Sequence, residues 1–191
     1  DIEITGGSAT GISLSGLATT HEDEDVVVTR NTIVGADTGD ATGISVSTGS
    51  TIASLEVSEN EINQLGAAGA IGLDVTGLND FDNVDISSNT FDSNGQHIDF
   101  GDSSEAEGLE SGNTFETFVY TTTTKDADFS NAELDTAKFY GTVGGALADS
   151  DVTADAFAQV RPGVYEESGL DTDTASNVNM VSTGSASETV I

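Results

Sequence analysis

The sequence predicts an all-β chain wound as a parallel β-solenoid, and three observations predict it. The first is a period. Asn31, Asn60 and Asn89 stand 29 residues apart, twice over, and a fixed spacing of this size marks a repeat architecture. The second is alternation. Val26, Val28 and Ile33 around the first asparagine recur as Leu55, Val57 and Ile62 around the second and as Val84, Ile86 and Phe91 around the third. That is the period of a strand, not of a helix. The third is a further short strand after each asparagine: Gly43-Ile44-Ser45-Val46, Gly72-Leu73-Asp74-Val75 and His97-Ile98-Asp99-Phe100, with an earlier copy at Gly11-Ile12-Ser13-Leu14. Strands this short are unstable alone, but a coil that repeats them roughly 4.8 Å away pairs their backbones and closes an apolar core.

Taken in order, residues 1–20 read as a partial coil carrying Ile2, Ile4, Ile12 and Leu14, and the acidic run His21 to Asp25 as a solvated loop. Full coils follow from Val26 to about Ser54, from Leu55 to about Asn83 and from Val84 to about Asp102. Their expected interior is Ile33, Ile44, Val57, Ile62, Leu73, Val75, Ile86, Phe91 and Ile98. Each asparagine falls where the chain turns after an outward residue. Asparagine tolerates the left-handed conformation of a tight corner. Stacked in register, the amides of Asn31, Asn60 and Asn89 are expected to bond coil to coil as a structural ladder. A fifth, degraded coil is expected from Leu109, where Gly112-Asn113-Thr114-Phe115 echoes Ser88-Asn89-Thr90-Phe91 at a spacing of 24, with Leu109 one residue out of register. Beyond Tyr120 the pattern changes. Ser130-Asn131-Ala132-Glu133 has the form of a capping box, and with Leu134, Ala137 and Phe139 it predicts a short capping helix near residues 131–140, ending at Gly141 and blunting exposed strand edges. Three regions result: coils over 1–120, a linker and capping helix over 121–150, and the opening coil or coils of a further unit over 151–191.

The pattern V-x-[VI]-x-x-N-x-[IF] followed by G-[IL]-x-[VL] resembles the repeats of the pectate-lyase-like superfamily over residues 2 to about 115. That resemblance implies a right-handed parallel β-helix and says almost nothing about chemistry. Pro162-Gly163-Val164-Tyr165-Glu166-Glu167 is similar to the opening coil of many such domains, which an amphipathic helix usually precedes. There Tyr165 is expected to pack while its hydroxyl stays wet.

Composition narrows the function. Acids number 34 against 4 bases, a net charge of −30. Such a surface repels itself at low ionic strength and is screened in salt. It resembles the surfaces of proteins from extreme halophiles, the salt-loving archaea above all, and an extracellular or cell-surface protein of such an archaeon is the expectation. The charge excludes a nucleic-acid partner, which needs a basic footprint. No apolar run approaches a spanning helix, so no membrane insertion is expected in this segment. The absence of cysteine excludes disulfides. A chain that opens on Asp1 reads as a mature or cut product, with any signal or anchor outside it.

Outward positions stack in columns. Ser13, Ser45, Asp74 and Asp99 form one, and Arg30, Glu59 and Ser88 another, the latter offering a salt bridge between coils. Asp74 and Asp99, about 5 Å apart, are the candidate contacts for a cation or a carbohydrate: two carboxylates at that spacing suit a glycosidase or a calcium ion. A chain with 34 acids also stacks some by chance. Lyases of the resembled fold use an Arg or Lys base beside acid-bound calcium, yet the base in the regular coils is Arg30, opposite Glu59. The Asn-Thr-Asp, Asp-Asp and Gly-His-Gly motifs of polygalacturonase-type enzymes do not occur, and His97 is far from His21 in sequence. No catalytic residue and no cofactor is therefore assigned, with calcium as the minor alternative. Three classes fit: a structural module of a cell-surface or filamentous protein, a carbohydrate-binding or carbohydrate-cleaving domain, and a phage-like spike. Written tail to head, Thr189-Val190-Ile191 runs into Asp1-Ile2-Glu3-Ile4 as one coil. The expected partners are thus copies of the chain itself, head to tail through Ile2, Ile4, Met180, Val190 and Ile191, and in the second class a polysaccharide.

Overall fold

A computed structural model describes all residues except 6–7, 16–24, 36–38, 48–53, 64, 66, 79–80, 126–128, 166–177, 185–188 and 191. The chain is mostly β, built from parallel sheets with short helices. The run 21–24 and Ile191 lie outside the described residues.

The strands come in sets, one set to a period. β1 (Ile2–Ile4) and β2 (Thr10–Ser15) form an incomplete set. Next come β3 (Asp25–Thr29), β4 (Thr32–Gly35) and β5 (Thr42–Ser47). They are followed by β6 (Ser54–Ser58), β7 (Glu61–Asn63) and β8 (Ile71–Asp74), and then by β9 (Val84–Ser87), β10 (Thr90–Asp92) and β11 (Gln96–Asp99). Each strand pairs in parallel with its equivalent one period on, giving the ladders β3–β6–β9, β1–β4–β7–β10 and β2–β5–β8–β11. The register keeps the apolar pattern in line: Val28 with Val57 and Ile86, Ile33 with Ile62 and Phe91, Ile44 with Leu73 and Ile98. All nine residues expected inside are buried, none more than 6% exposed. Each contributes about 1.5–3 kcal/mol by burial.

After β11 the repeat breaks. α1 (Ala106–Gly112) replaces the strand expected from Leu109, and it buries Leu109 and Ala106 in the core. It lies against the free side of β9, where Ser88 N donates to Gly112 O at 2.6 Å. The shorter spacing to Asn113 and the misplaced Leu109 are both consequences of this helix. β12 (Thr114–Phe115) then rejoins the second ladder beside β10, with Phe115 opposite Phe91.

From here the third sheet is mixed. β13 (Val119–Thr122), β14 (Lys138–Tyr140), α2 (Val143–Ala148), β15 (Phe157–Val160), β16 (Gly163–Val164), β17 (Asn179–Ser182) and β18 (Thr189–Val190) complete the chain. β14 runs antiparallel to β11 and to β13, β15 antiparallel to β13, and β17 parallel to β15. A separate parallel pair joins β16 and β18.

The capping helix expected near residues 131–140 is not formed. Asn131–Glu133 is a single 3-10 turn, Ser130 makes no side-chain capping bond, and Lys138–Tyr140 is a strand. The reason lies in the two cores. Phe139 packs into the first, with the ladder residues, and Tyr140 into a second, with Val143, Leu147, Ala158 and Val160. Tyr120 and Val119 divide the same way. Consecutive residues face opposite sides of a strand, and a helix cannot send them to both. The helix sits later, as α2, where Thr142 Oγ1 accepts from Gly145 N at 2.9 Å. Tyr165 also departs from expectation: it is 3% exposed, its hydroxyl accepting from Phe118 N at 3.1 Å and donating to Arg161 O at 2.8 Å.

Gly11, Gly43 and Gly72 stand in line in the third ladder. A Cβ on Gly43 would lie 2.5 Å from Gly72 O, and one on Gly72 2.7 Å from His97 O. Gly43→Ala therefore forces adjacent backbones apart. Denaturant unfolding in high salt should show a loss of about 1–3 kcal/mol.

Candidate functional site

Two groups of functional side chains stand out, one holding the ladders together and one gathered at their end. The asparagines form a continuous chain of amides. Asn31 Nδ2 donates to Asn60 Oδ1 at 3.0 Å, Asn60 Nδ2 to Asn89 Oδ1 at 2.9 Å, and Asn89 Nδ2 to Asn113 Oδ1 at 2.9 Å. Each Oδ1 also accepts from the backbone N–H of the asparagine one rung back, at 3.0 to 3.1 Å. The second amide hydrogen reaches a carbonyl: Asn60 to Val28 O and Asn89 to Val57 O, both at 2.8 Å. Asn60 and Asn89 are buried, and buried amides need such partners. Asn113 ends the chain by donating to Ile86 O at 3.0 Å and Leu109 O at 2.8 Å.

The left-handed corner is not at the asparagine. It is at the residue before it: Arg30 has φ 57°, Glu59 φ 55° and Ser88 φ 59°. The turn is made one position early, and the asparagine is thereby free to send its amide inward along the stack. Arg30 Nε meets Glu59 Oε2 at 2.6 Å on the exposed surface, the salt bridge expected between coils.

The second group surrounds Lys138. Asp74, Asp99 and Lys138 are direct neighbours across β8, β11 and β14. Lys138 Nζ donates to Asp149 Oδ2 at 2.8 Å and Asp151 Oδ2 at 2.7 Å, and lies 4.0 Å from Asp99 Oδ2. Asp149, only 4% exposed at its side chain, also accepts from the Tyr140 hydroxyl at 3.1 Å and Gln96 Nε2 at 3.4 Å. Asp74 is held separately, by Thr76 N at 3.1 Å and Thr76 Oγ1 at 2.7 Å. Burial pushes the Asp99 carboxyl up to about 6; Lys138 opposes this, while Asp74 and Asp149 add to it. Burial also works against the Lys138 ammonium, but its bonds to Asp149 and Asp151 hold it above its ordinary value. Tyr140 is raised well above the usual phenol range by burial and by the Asp149 charge.

His97 is fully buried, its ring tilted against those of Phe91 and Phe115. Burial pushes it down to about 4, against the pull of the Thr117 carbonyl. The neutral ring donates from Nε2 to Thr117 O at 2.7 Å and accepts at Nδ1 from Asn94 Nδ2 at 3.3 Å. His97 follows Gly72 in the glycine line, and a Cβ on Gly141 would fall on its ring. Both sides of this histidine are engaged by the protein.

The predicted site residues thus divide. Asn31, Asn60 and Asn89 come together, with Asn113 as a fourth member. Asp74 and Asp99 come together, but the positive charge beside them is Lys138. Among the described residues, no three His, Asp or Glu side chains gather as a metal ion would need. Of the assembly residues, Ile4 is 5% exposed and Ile2 half-buried at the first rung, while Met180 is 49% exposed on β17. Val190 stands opposite Val164 in the β16–β18 pair. Lys138, Asp149, Asp151 and Tyr140 were not legible as a group. The sole hint was a lysine in a chain that has two.

Asn60→Ala leaves the Asn31 backbone N–H without its acceptor and takes one of two from the Asn31 side-chain amide, which keeps Thr29 O. It also removes the side-chain donor that Asn60 supplies to Asn89 Oδ1 and Val28 O. Denaturant unfolding should report a loss of about 3 kcal/mol, since each buried unpaired group costs about 1–3 kcal/mol. Among the described residues, no helix is long and apolar enough to cross a membrane. No family model matches this chain, and no curated protein or solved structure matches it.

Proposed function

We propose that the chain is a structural module of a halophilic, archaeal cell-surface or filamentous protein, a right-handed parallel β-helix that assembles head to tail with copies of itself, as a repeat or as a subunit. The observation that carries this reading is the amide ladder running through one-period registers: polar groups along the stack are spent on holding rungs together. Visiting three parallel ladders in the same order each period is how a β-helix winds. The net charge of −30 supports a salt-screened, extracellular setting. Assembly is supported at both edges. The half-buried Ile2, Ile12, Leu14 and Val26 line the β1–β3 side, and Met180 lies exposed in line with the buried Ala158 on the β17 side. Strand edges of this kind are templates for pairing, and a heterologous contact between unlike edges extends without closing.

A second reading, a domain that binds or cleaves a polysaccharide, draws on Asp99: a carboxyl pushed up to about 6 by burial, with a second carboxyl, Asp74, on the adjacent rung, has the chemistry of an acid and its partner. A glycan array with a reducing-sugar assay separates the two readings.

In molar salt, light scattering and negative-stain images should show elongated assemblies of the intact chain. Deletion of residues 178–191, which removes β17 and β18, should leave monomers; a monodisperse intact monomer in molar salt rules assembly out. The melting temperature should also fall as salt drops from molar to tens of millimolar, because unscreened repulsion opposes the compact state. An unchanged value counts against the salt-adapted reading.

A further inference from the structure

We propose that Asp99, set between Asp74 on the adjacent rung and Lys138 on the reversed strand, is a proton-operated latch that fastens β14 and the turn after α2 to the end of the parallel ladder. β11 is the last parallel strand of its ladder, with β8 on one side and β14 on the other. Asp99 therefore has a like charge across one flank and its sole cation across the other. That cation is already committed, at 2.8 and 2.7 Å, to Asp149 and Asp151, and stands 4.0 Å from Asp99. Tyr140 and Gln96 direct their donors at Asp149, whereas Asp99 receives a hydrogen bond from the Gly101 backbone N–H.

Three carboxylates, those of Asp99, Asp149 and Asp151, thus share one ammonium, with Asp74 a further like charge on the adjacent rung, in a place where the Asp99 side chain is 15% exposed. Ionised, Asp99 holds its charge in this partly enclosed place, a cost set first by burial and increased by Asp74 and Asp149, which Lys138 and the Gly101 N–H offset only in part. Protonated, it no longer repels either, and its hydroxyl becomes a donor. Lys138 then serves Asp149 and Asp151 without competition from Asp99. The seam closed in this way is the junction between the parallel ladder and the wall of the second core.

The direction of the pH effect follows from linkage. The folded carboxyl titrates at about 6, whereas an aspartate in the unfolded chain titrates near about 3.9. The folded state binds the extra proton across the interval between them. Stability from this group therefore rises as pH falls through 6, is complete below the unfolded value, and is lost as pH rises through 6.

Two measurements on the full chain in molar salt test the latch. Carbon-13 NMR of the carboxyls should place the Asp99 midpoint near 6, lowered in Asp74→Asn and raised in Lys138→Met; a wild-type midpoint near 4 overturns the proposal. Amide exchange over residues 138–149, corrected for the intrinsic effect of pH, should be slower at pH 5.5 than at pH 7.5. In Asp99→Asn, which holds the latch in its uncharged form, it should be slow at both. The comparison with the variant is needed because acidification relieves repulsion everywhere in so acidic a chain. Equal pH dependence of exchange in wild type and Asp99→Asn overturns the latch even where the carboxyl titrates near 6.

Discussion

Parallel pairing at a register of one period is the constraint on which the rest depends. Short strands such as Glu61–Asn63 and Thr90–Asp92 have no stability of their own. They exist because the next rung presents the same backbone groups in the same order. Slipping one residue would turn Ile62 and Phe91 out of the core and their polar neighbours in. The amides of Asn60 and Asn89 guard against that slip, since each Oδ1 accepts from both the backbone and the side chain of the preceding rung. A single-residue shift would orphan both donors at once.

Stacking at this spacing also explains the glycines and the change of architecture at β11. A side chain at Gly43 or Gly72 would strike the carbonyl of the next rung. On the last rung that constraint lapses, and His97 stands in the same line. A parallel stack must end, and here it ends twice over. α1 covers the open side of β9, and β14 reverses direction against β11. The reversal makes β13 and β14 a wall with an apolar face on each side, which is how Phe139 and Tyr140 come to serve different cores.

The charge of the chain is managed locally as well as globally. Arg30 bridges exposed rungs to Glu59, while Arg161 packs its guanidinium 4.7 Å from the Phe118 ring and pairs with Glu110 at 2.7 Å. Lys138 lies beside Asp99 and Asp149, whose side chains are 15% and 4% exposed. Lys138 and Arg161 thus sit against carboxylates that are largely enclosed.

The period, the strand alternation and the buried set from Ile33 to Ile98 were determined by the sequence itself, because a repeat writes its contacts into its own spacing: across the regular rungs the partner of a residue is the one 29 positions away. The amide ladder was legible for the same reason. Outside the repeat that information is missing. Ser130 to Glu133 has the letters of a capping box, yet the segment turns once and becomes a strand, because Phe139 and Tyr140 must reach opposite cores. Leu109 looked like a coil out of register and is a helix, because an open strand edge had to be covered. The grouping of Lys138, Asp149 and Asp151 around Asp99 joins segments with no common period, and their approach is set by an antiparallel pairing that no local pattern announces. Tertiary structure alone decided where the stack ends and which charges meet there, since those contacts depend on how the chain reverses and not on how it repeats.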